Sequence, residues 1–472
     1  MKERLKILIN IPYFSVYLLV IFYIITSLND ALWITDWKDL IWVFIFFALI
    51  LFLIITISSK IRKNIDGKEV LIFISLFTIL LLPKLQSNLI SFTDLKIKLS
   101  YLLITFGIII IFFLYQIFLN QTKKFRILKQ YFTLLICSFI LIEISIVPGI
   151  LDDKKMLKNS IFSYTNSIQK KPIALKIKPN VYHIVFDAYT GFEALKKYWS
   201  FEDTVFMNKL HQKNANLAIN SKTCKDNTLE SINSTFNMKI YQNSLRFRSL
   251  ATKSDVFRKL IKKASTINQL EFNDYEINNL SIFDLGNKKR NWDFPWLEPN
   301  INFYQYCFYQ SLLGNFYKNY LNRSIATSNI NIISELKNII KKSTNKPKFT
   351  YAHLIMPHTP NNFDKNGNII GSITYNKDAY LDELQYCNKV MIEMINLINK
   401  YDPNAVLILQ SDHGSGMLPE VYEEEVANTL SILVAPKIYK IEWPQNMLNH
   451  NTYKYIFNAL GNYSIPISPC DD

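Results

Sequence analysis

The chain has 472 residues, a formal net charge of +15 and a mean hydropathy of +0.07, with 49% hydrophobic and 19% charged residues. These values exclude a disordered chain, which needs low hydrophobicity and high charge. With 11 Gly, 16 Pro and 5 Cys, a collagen-like chain and a disulfide-dense small scaffold are excluded as well.

The first third is a series of apolar runs separated by lysines. Residues 7–28, 40–59 and 99–120 carry no charge, residues 130–151 carry only Glu143, and residues 70–83 form a shorter run. A bilayer core takes about 20 apolar residues of helix, so four runs reach that length and the third is marginal. Backbone polar groups in lipid must be satisfied internally, which predicts a helix for each run. Lys2, Arg4 and Lys6, then Lys60, Arg62, Lys63 and Lys68, then Lys123, Lys124, Arg126 and Lys129 mark one side of the membrane. The positive-inside rule places that side in the cytoplasm. Five spans put everything after Asp152 outside; four would leave it inside. Glu143 is expensive within a span, so it serves a function, snorkels or bonds a neighbouring helix.

Residues 153–178 are polar and Lys-rich and read as a juxtamembrane linker that can include an amphipathic helix lying on the bilayer, which an anionic lipid surface would attract. From residue 179 the pattern changes. VYHIVF, ANLAIN, residues 349–355, AVLILQ and SILVAP read as strands. Residues 202–213, 255–263, 376–400 and 451–460 read as helices, whereas 264–330, rich in Asn, Tyr and Phe, reads as irregular insertions. Continuous apolar strands alternating with helices predict an α/β domain with a mostly parallel sheet. The expected organisation is a five-helix transmembrane bundle over 1–152, a linker over 153–178 and an α/β domain over 179–472.

Open parallel sheets bind ligands beyond the carboxyl ends of their strands. VYHIVF ends in Asp187, AVLILQS in Asp412-His413-Gly414 and the 349–355 strand in Pro357-His358. Carboxylate and imidazole groups gathered at one sheet edge suit Zn²⁺ or Mn²⁺. Thr228 opens an apparent helix, whose N-terminus favours a phosphate, but Thr is also an ordinary cap residue. In that case Asn227 or Ser231 is the reactive neighbour. His183 reads as core, and His211 and His450 as surface. Lys222, Lys225 and Arg290 are candidate phosphate contacts. Cys224, Cys307, Cys387 and Cys470 fall outside the spans and allow three disulfide pairings or free thiols.

The ordering NVYHIVFDAYTG, TCKDNTLESINSTFNM, FTYAHLIMPHTPNNFDKNG, AVLILQSDHGSG resembles the alkaline phosphatase/sulfatase superfamily. It is closest to the membrane-anchored branch of phosphoethanolamine transferases and lipoteichoic acid synthases. Those enzymes also pair five N-terminal spans with an extracytoplasmic catalytic domain. The resemblance makes Asp187, Asp412 and His413 metal ligands. Thr228 becomes nucleophile and fourth ligand, and His358 the substrate-side histidine; His353 is the lesser candidate. Sulfatases need Cys or Ser in a C/S-x-P-x-R context, and Cys224-Lys225-Asp226-Asn227 lacks the Pro and Arg.

The resemblance therefore implies a metal-dependent enzyme of the cytoplasmic membrane. It would move a phospholipid-headgroup phosphate, of phosphoethanolamine or phosphoglycerol type, to an envelope glycan or lipid through a phospho-threonine. Two alternatives are a membrane-anchored phosphohydrolase and a non-catalytic envelope-polymer-binding protein. Nucleic acid is a poor partner, because the lysines scatter among spans and loops and no nucleic-acid-binding motif stands out.

Overall fold

The computed structural model describes residues 11–31, 37–59, 65–77, 80, 122–168, 171–242, 250–291, 303–311, 313–314, 317, 324–374 and 376–470. The chain forms two compact units. The first comprises Met1–Lys158, Leu245–Lys253 and Trp296–Leu321; the second comprises Asn159–Ser244, Ser254–Pro295 and Asn322–Asp472.

In the first unit α1 spans Phe14–Ala31, α2 Trp37–Ser59 and α3 Ile65–Leu76, and the long α4, Thr122–Ile168, begins here. Among the described residues two helices are long and apolar enough to cross a membrane, Phe14–Ala31 and the Lys129–Ile168 stretch. The run 99–120 lies outside the described residues, and 70–83 is described only in part. Val43, Phe47 and Leu51 of α2 bury against Leu19 and Tyr23 of α1, while Trp42, Phe46, Leu49 and Phe52 face outward. So many large apolar side chains on the surface call for apolar surroundings.

Two acidic side chains within this unit are paired. Glu69 accepts from the Tyr13 and Ser15 amides at 2.8 and 3.1 Å, satisfying donors at the α1 N-terminus, and pairs with Lys129 at 2.6 Å. Asn29 Nδ2 donates to Glu143 Oε2 at 2.7 Å, so Glu143 makes the helix–helix bond. Such bonds contribute about 1 kcal/mol in membranes. Asn29→Leu is therefore expected to lower unfolding free energy in detergent by about that amount, with Asn29→Leu/Glu143→Leu recovering most of it. Strictly additive losses in the double variant would show that the pair is not coupled.

Two segments depart from the expected organisation. α4 runs on past Asp152 to Ile168, so the last span and the first part of the linker region are one continuous helix. No Gly or Pro interrupts it after Gly149, and Lys, Leu and Met are good helix formers. Residues 245–253 and 296–321, read as part of the α/β domain, fold with the first unit. The helix Phe303–Tyr309 buries Phe303, Tyr306 and Cys307 in the core of α1 and α2, so Cys307 does not belong with the α/β-domain cysteines.

The second unit carries a six-stranded sheet of order β2-β8-β7-β1-β4-β3. The strands are β1 Val181–Phe186, β2 Asn216–Leu217, β3 Glu276–Leu280, β4 Lys348–Leu354, β7 Val406–Gln410 and β8 Ser431–Val434; β5 Asn361–Phe363 and β6 Ile369–Thr374 form a separate hairpin. β7, β1, β4 and β3 run parallel, while β8 and β2 are antiparallel additions. Every residue of β1, β4 and β7 is buried, as expected for strands covered on both faces. The helices are α5 Phe192–Trp199, α6 Thr204–Gln212, α7 Thr228–Asn237, α8 Ser265–Phe272, α9 Ser324–Lys341, α10 Lys377–Tyr401, α11 Tyr422–Ala427 and α12 Thr452–Gly461, with Leu250–Lys262 shared between the units. Leu336 and Ile340 of α9 and Leu384, Met391 and Ile395 of α10 pack in one core with Ile184, Leu354 and Leu409 of the sheet.

Candidate active site

Because β7, β1 and β4 are parallel neighbours, their carboxyl ends open at one edge. Asp187 directly follows β1 and holds its place through its amide, which donates to Leu354 O at 2.9 Å. Ala188 then takes a left-handed φ of 61° and donates its N–H to Asp412 Oδ1 at 3.1 Å. That backbone costs about 1 kcal/mol for a residue with a Cβ. Asp412 lies two residues beyond β7, and its Oδ1 also accepts from the His413 amide at 2.9 Å. Gly414 completes the turn: a Cβ there would sit 2.2 Å from Glu425 O.

The predicted residues converge. His413 Nε2 lies 3.7 Å from Asp187 Oδ1, 3.5 Å from Asp412 Oδ2 and 3.2 Å from Thr228 Oγ1. His413 Nδ1 is 2.7 Å from Gly414 O and must donate to it, so in the neutral ring the Nε2 lone pair faces this cluster. Thr228 is the first residue of α7. The cap is Asn227, whose side chain accepts from Glu230 N at 3.2 Å. Thr228 is thus free of capping duty, and its hydroxyl lies at the positive end of the helix. Ser231, the other candidate, is used structurally: its Oγ donates to Asp412 O at 2.6 Å.

His358 is part-buried, and its ring centroid lies 6.5 Å from that of His413. Lys225 bonds Glu230 at 3.6 Å and Arg290 bonds Asp284 at 3.5 Å; Lys222 lies in a backbone bridge with Asn428. His183 is buried against Tyr453, as expected of a core residue, and burial holds its pKa down at about 3. His450, read as surface, is only 1% exposed and packs on Ser468 in the C-terminal segment. Cys224 and Cys470 form a disulfide. Cys387 is a buried free thiol.

His353, the lesser candidate from the sequence, also reaches the cluster. His353 Nε2 lies 3.1 Å from Asp187 Oδ2, and its Nδ1 lies 2.9 Å from Tyr351 Oη. Asp187, His353 and Asp412 each offer a ligand atom within 4.8 Å of the others, all buried. The available signal was a histidine inside a strand otherwise destined for the core, since a buried imidazole needs a partner. Glu425 carried no sequence signal. It accepts from Thr190, Trp199 Nε1, Ser415 and the Leu418 amide, bracing the loops after β1 and β7 against each other.

Burial alone would push the Asp187 carboxyl up, but His358, His353 and His413 outweigh it and hold it down at about 2. Burial likewise opposes charge on His413, yet Asp412 and Asp187 raise its pKa above the ordinary imidazole value. Two buried carboxylate oxygens, Asp187 Oδ1 and Asp412 Oδ2, have no hydrogen-bond partner. A buried anionic oxygen without a partner is costly, and a cation between these two would satisfy both. Oxygen donors from Asp187, Asp412 and Thr228 with imidazole from His413 or His353 fit Zn²⁺ or Mn²⁺.

A family model described as Sulfatase matches residues 207–458. No curated protein sequence matches the chain. Solved structures similar to it include the C-terminal periplasmic domain of EcEptC from Escherichia coli, at 13% identity and a TM-score of 0.41 over 62% of this chain and 86% of that one. The C-terminal periplasmic domain of phosphoethanolamine transferase EptC from Campylobacter jejuni matches at 12% identity and a TM-score of 0.40, over 63% and 100%. BT1596, a 2-O GAG sulfatase, matches at 13% and 0.39, over 61% and 72%.

Proposed function

The chain belongs to the Sulfatase family, whose model spans residues 207–458, and from that premise we propose that it is a membrane-anchored phosphotransferase with Thr228 as nucleophile. The observation that carries the reading is the Thr228 hydroxyl at the first turn of a buried helix, 3.2 Å from His413 Nε2 and beside two carboxylate oxygens without partners. Sulfate-ester hydrolysis is disfavoured: the C/S-x-P-x-R context is absent and Cys224 is bonded to Cys470.

A bound Zn²⁺ or Mn²⁺ would acidify the Thr228 hydroxyl and offset phosphate charge. Asp187, Asp412, His413 and Thr228 would hold it, with the His353 ring against Asp187 Oδ2. The chain's own residues set the geometry. The first turn of α7 positions the Thr228 hydroxyl, and the helix N-terminus accepts the phosphate. Thr228 Oγ1 gives its proton to solvent water and bonds to phosphorus while the bond to the lipid's glycerol oxygen breaks. That oxygen takes a proton from His358 and leaves as diacylglycerol. A hydroxyl of an envelope glycan or lipid then gives its proton to His358 and bonds to phosphorus as the Thr228 Oγ1–phosphorus bond breaks, and Thr228 Oγ1 takes back a proton from water.

The donor is a phospholipid of phosphoethanolamine or phosphoglycerol type. Five spans, a cytoplasmic N-terminus and an outside catalytic unit would keep that donor at high effective concentration.

The test uses purified full-length protein with labelled phosphatidylethanolamine or phosphatidylglycerol and Mn²⁺ or Zn²⁺. Expected results are labelled diacylglycerol and a headgroup-phosphate adduct on the peptide containing Thr228. Turnover that rises with added glycan acceptor distinguishes transfer from hydrolysis. An adduct mapped to another residue, or no release from either lipid with either metal, refutes the reading.

A further inference from the structure

Residues 299–317 carry no charge, and residues 303–317 include seven Phe or Tyr. In chain order the stretch interrupts the second unit, which stops at Pro295 and resumes at Asn322, yet it folds with the first. Phe303, Tyr306 and Cys307 are buried in one core with Leu19 and Tyr23 of α1 and Phe47 of α2.

One hydrogen bond sets its depth: Tyr23 Oη donates to Cys307 O at 2.5 Å. Tyr23 stands eight residues before Ala31, the end of α1, which is about 12 Å of helix. The whole of α1 is 18 residues, about 27 Å, close to a bilayer's hydrocarbon thickness. Cys307 is therefore level with the middle of an apolar helix rather than with its end. Backbone at that depth is tolerated only when it is satisfied and buried in protein. Cys307 meets both conditions, at 3% exposure with its carbonyl bonded.

The other face of the segment is different. Tyr304, Phe308, Leu313 and Tyr317 are 43, 37, 60 and 43% exposed. They belong to the same unit as the outward Phe46 and Leu49 of α2, against which the helix Phe303–Tyr309 packs. An uncharged exposed face of aromatic and aliphatic side chains suits apolar surroundings rather than water.

We infer that Phe303–Tyr309, with Leu313 and Tyr317 beyond it, forms a membrane-seated segment. Its inner face packs on α1 and α2, and Tyr304, Leu313 and Tyr317 contact phospholipid. The chain of the catalytic unit thereby acquires a second membrane attachment besides α4. The inference rests on the first unit lying in a bilayer and not on the chemistry at Thr228.

The test places a photoreactive amino acid singly at Tyr304, Leu313 or Tyr317 of the full-length protein in phosphatidylethanolamine/phosphatidylglycerol nanodiscs. Leu49, 63% exposed in the first unit, is the lipid-facing reference, and Ile438, 77% exposed in the second, is the water-facing one. The expected result is a labelled-lipid adduct at all three positions at the yield of Leu49, with only background at Ile438. Adducts at Leu49 but only background at the three positions overturn the inference alone. Cross-links to a second copy of the chain in place of lipid also overturn it. Background at Leu49 as well overturns the membrane reading and the inference with it.

Discussion

Thr228→Ala is expected to reduce diacylglycerol release by about a thousandfold or more while leaving bound metal in place; losing an essential nucleophile typically costs at least that much. Asp412→Asn is expected to cost as much by another route. Asp412 Oδ1 accepts from Ala188 N and His413 N, whereas Oδ2 has no partner. An amide could keep its oxygen on the two N–H groups but would present NH₂ where the unpartnered oxygen faces the cluster. The fold survives, metal falls and activity falls with it. Metal stoichiometry measured beside turnover separates the two variants. Metal loss in Thr228→Ala equal to that in Asp412→Asn would make Thr228 a structural ligand and remove its role as nucleophile. Thr228→Ser retains a hydroxyl on the same helix turn and should recover most of the activity, a rescue that a packing role for the threonine methyl would not produce.

The parts of this site that were legible share one property: they follow strands whose apolar character is continuous. β1 and β7 are buried along their whole length, so VYHIVF and AVLILQ announce themselves, and Asp187 and Asp412 follow one and two residues beyond their ends. His353 was harder because it lies within β4, opposite Val185, where only three-dimensional register brings its ring to Asp187. β3 escaped notice because Glu276–Leu280 reads EINNL; its strand character comes from pairing with β4 at the sheet edge. Segment 303–317 was illegible for a related reason. Its apolar residues are too few for a span and too irregular for an amphipathic helix, and their partners lie almost 300 positions earlier, as between Cys307 and Tyr23. His450 reads as surface because it sits in a polar run, but the C-terminal residues 468–470 cover it, tied to Cys224 by a disulfide the sequence leaves as one choice among several.

Glu383→Gln is expected to be less stable than the natural protein at pH 5 or below, where its NH₂ replaces an oxygen that accepts from Asn361 or Asn362, and to gain on the natural protein steadily as pH rises. Glu383 lies on α10, fully buried, with Oε2 accepting from Asn361 Nδ2 at 2.8 Å and Oε1 from Asn362 N at 3.1 Å. Burial pushes its carboxyl up to about 8, against the pull of those hydrogen bonds, from an ordinary value of 4.5. Between these values the folded chain holds a proton that the unfolded chain releases. This raised pKa therefore contributes stability that is complete below about pH 4.5, declines as pH rises and is gone above about pH 8. A shift of this size corresponds to up to about 5 kcal/mol, which a glutamine that never ionises would not lose. Unfolding free energies of the two full-length proteins in detergent, compared from pH 5 to pH 9, isolate this group because every other titrating residue is common to both. Parallel curves would mean that Glu383 is ionised throughout. The consequence reaches the site, since Asn361 Nδ2 also donates to Pro357 O at 3.1 Å and so ties α10 to the loop that carries His358. Charging Glu383 in a buried position strains that anchor. The alkaline limb of the activity profile should therefore move to higher pH in Glu383→Gln, although the residue lies outside the metal cluster.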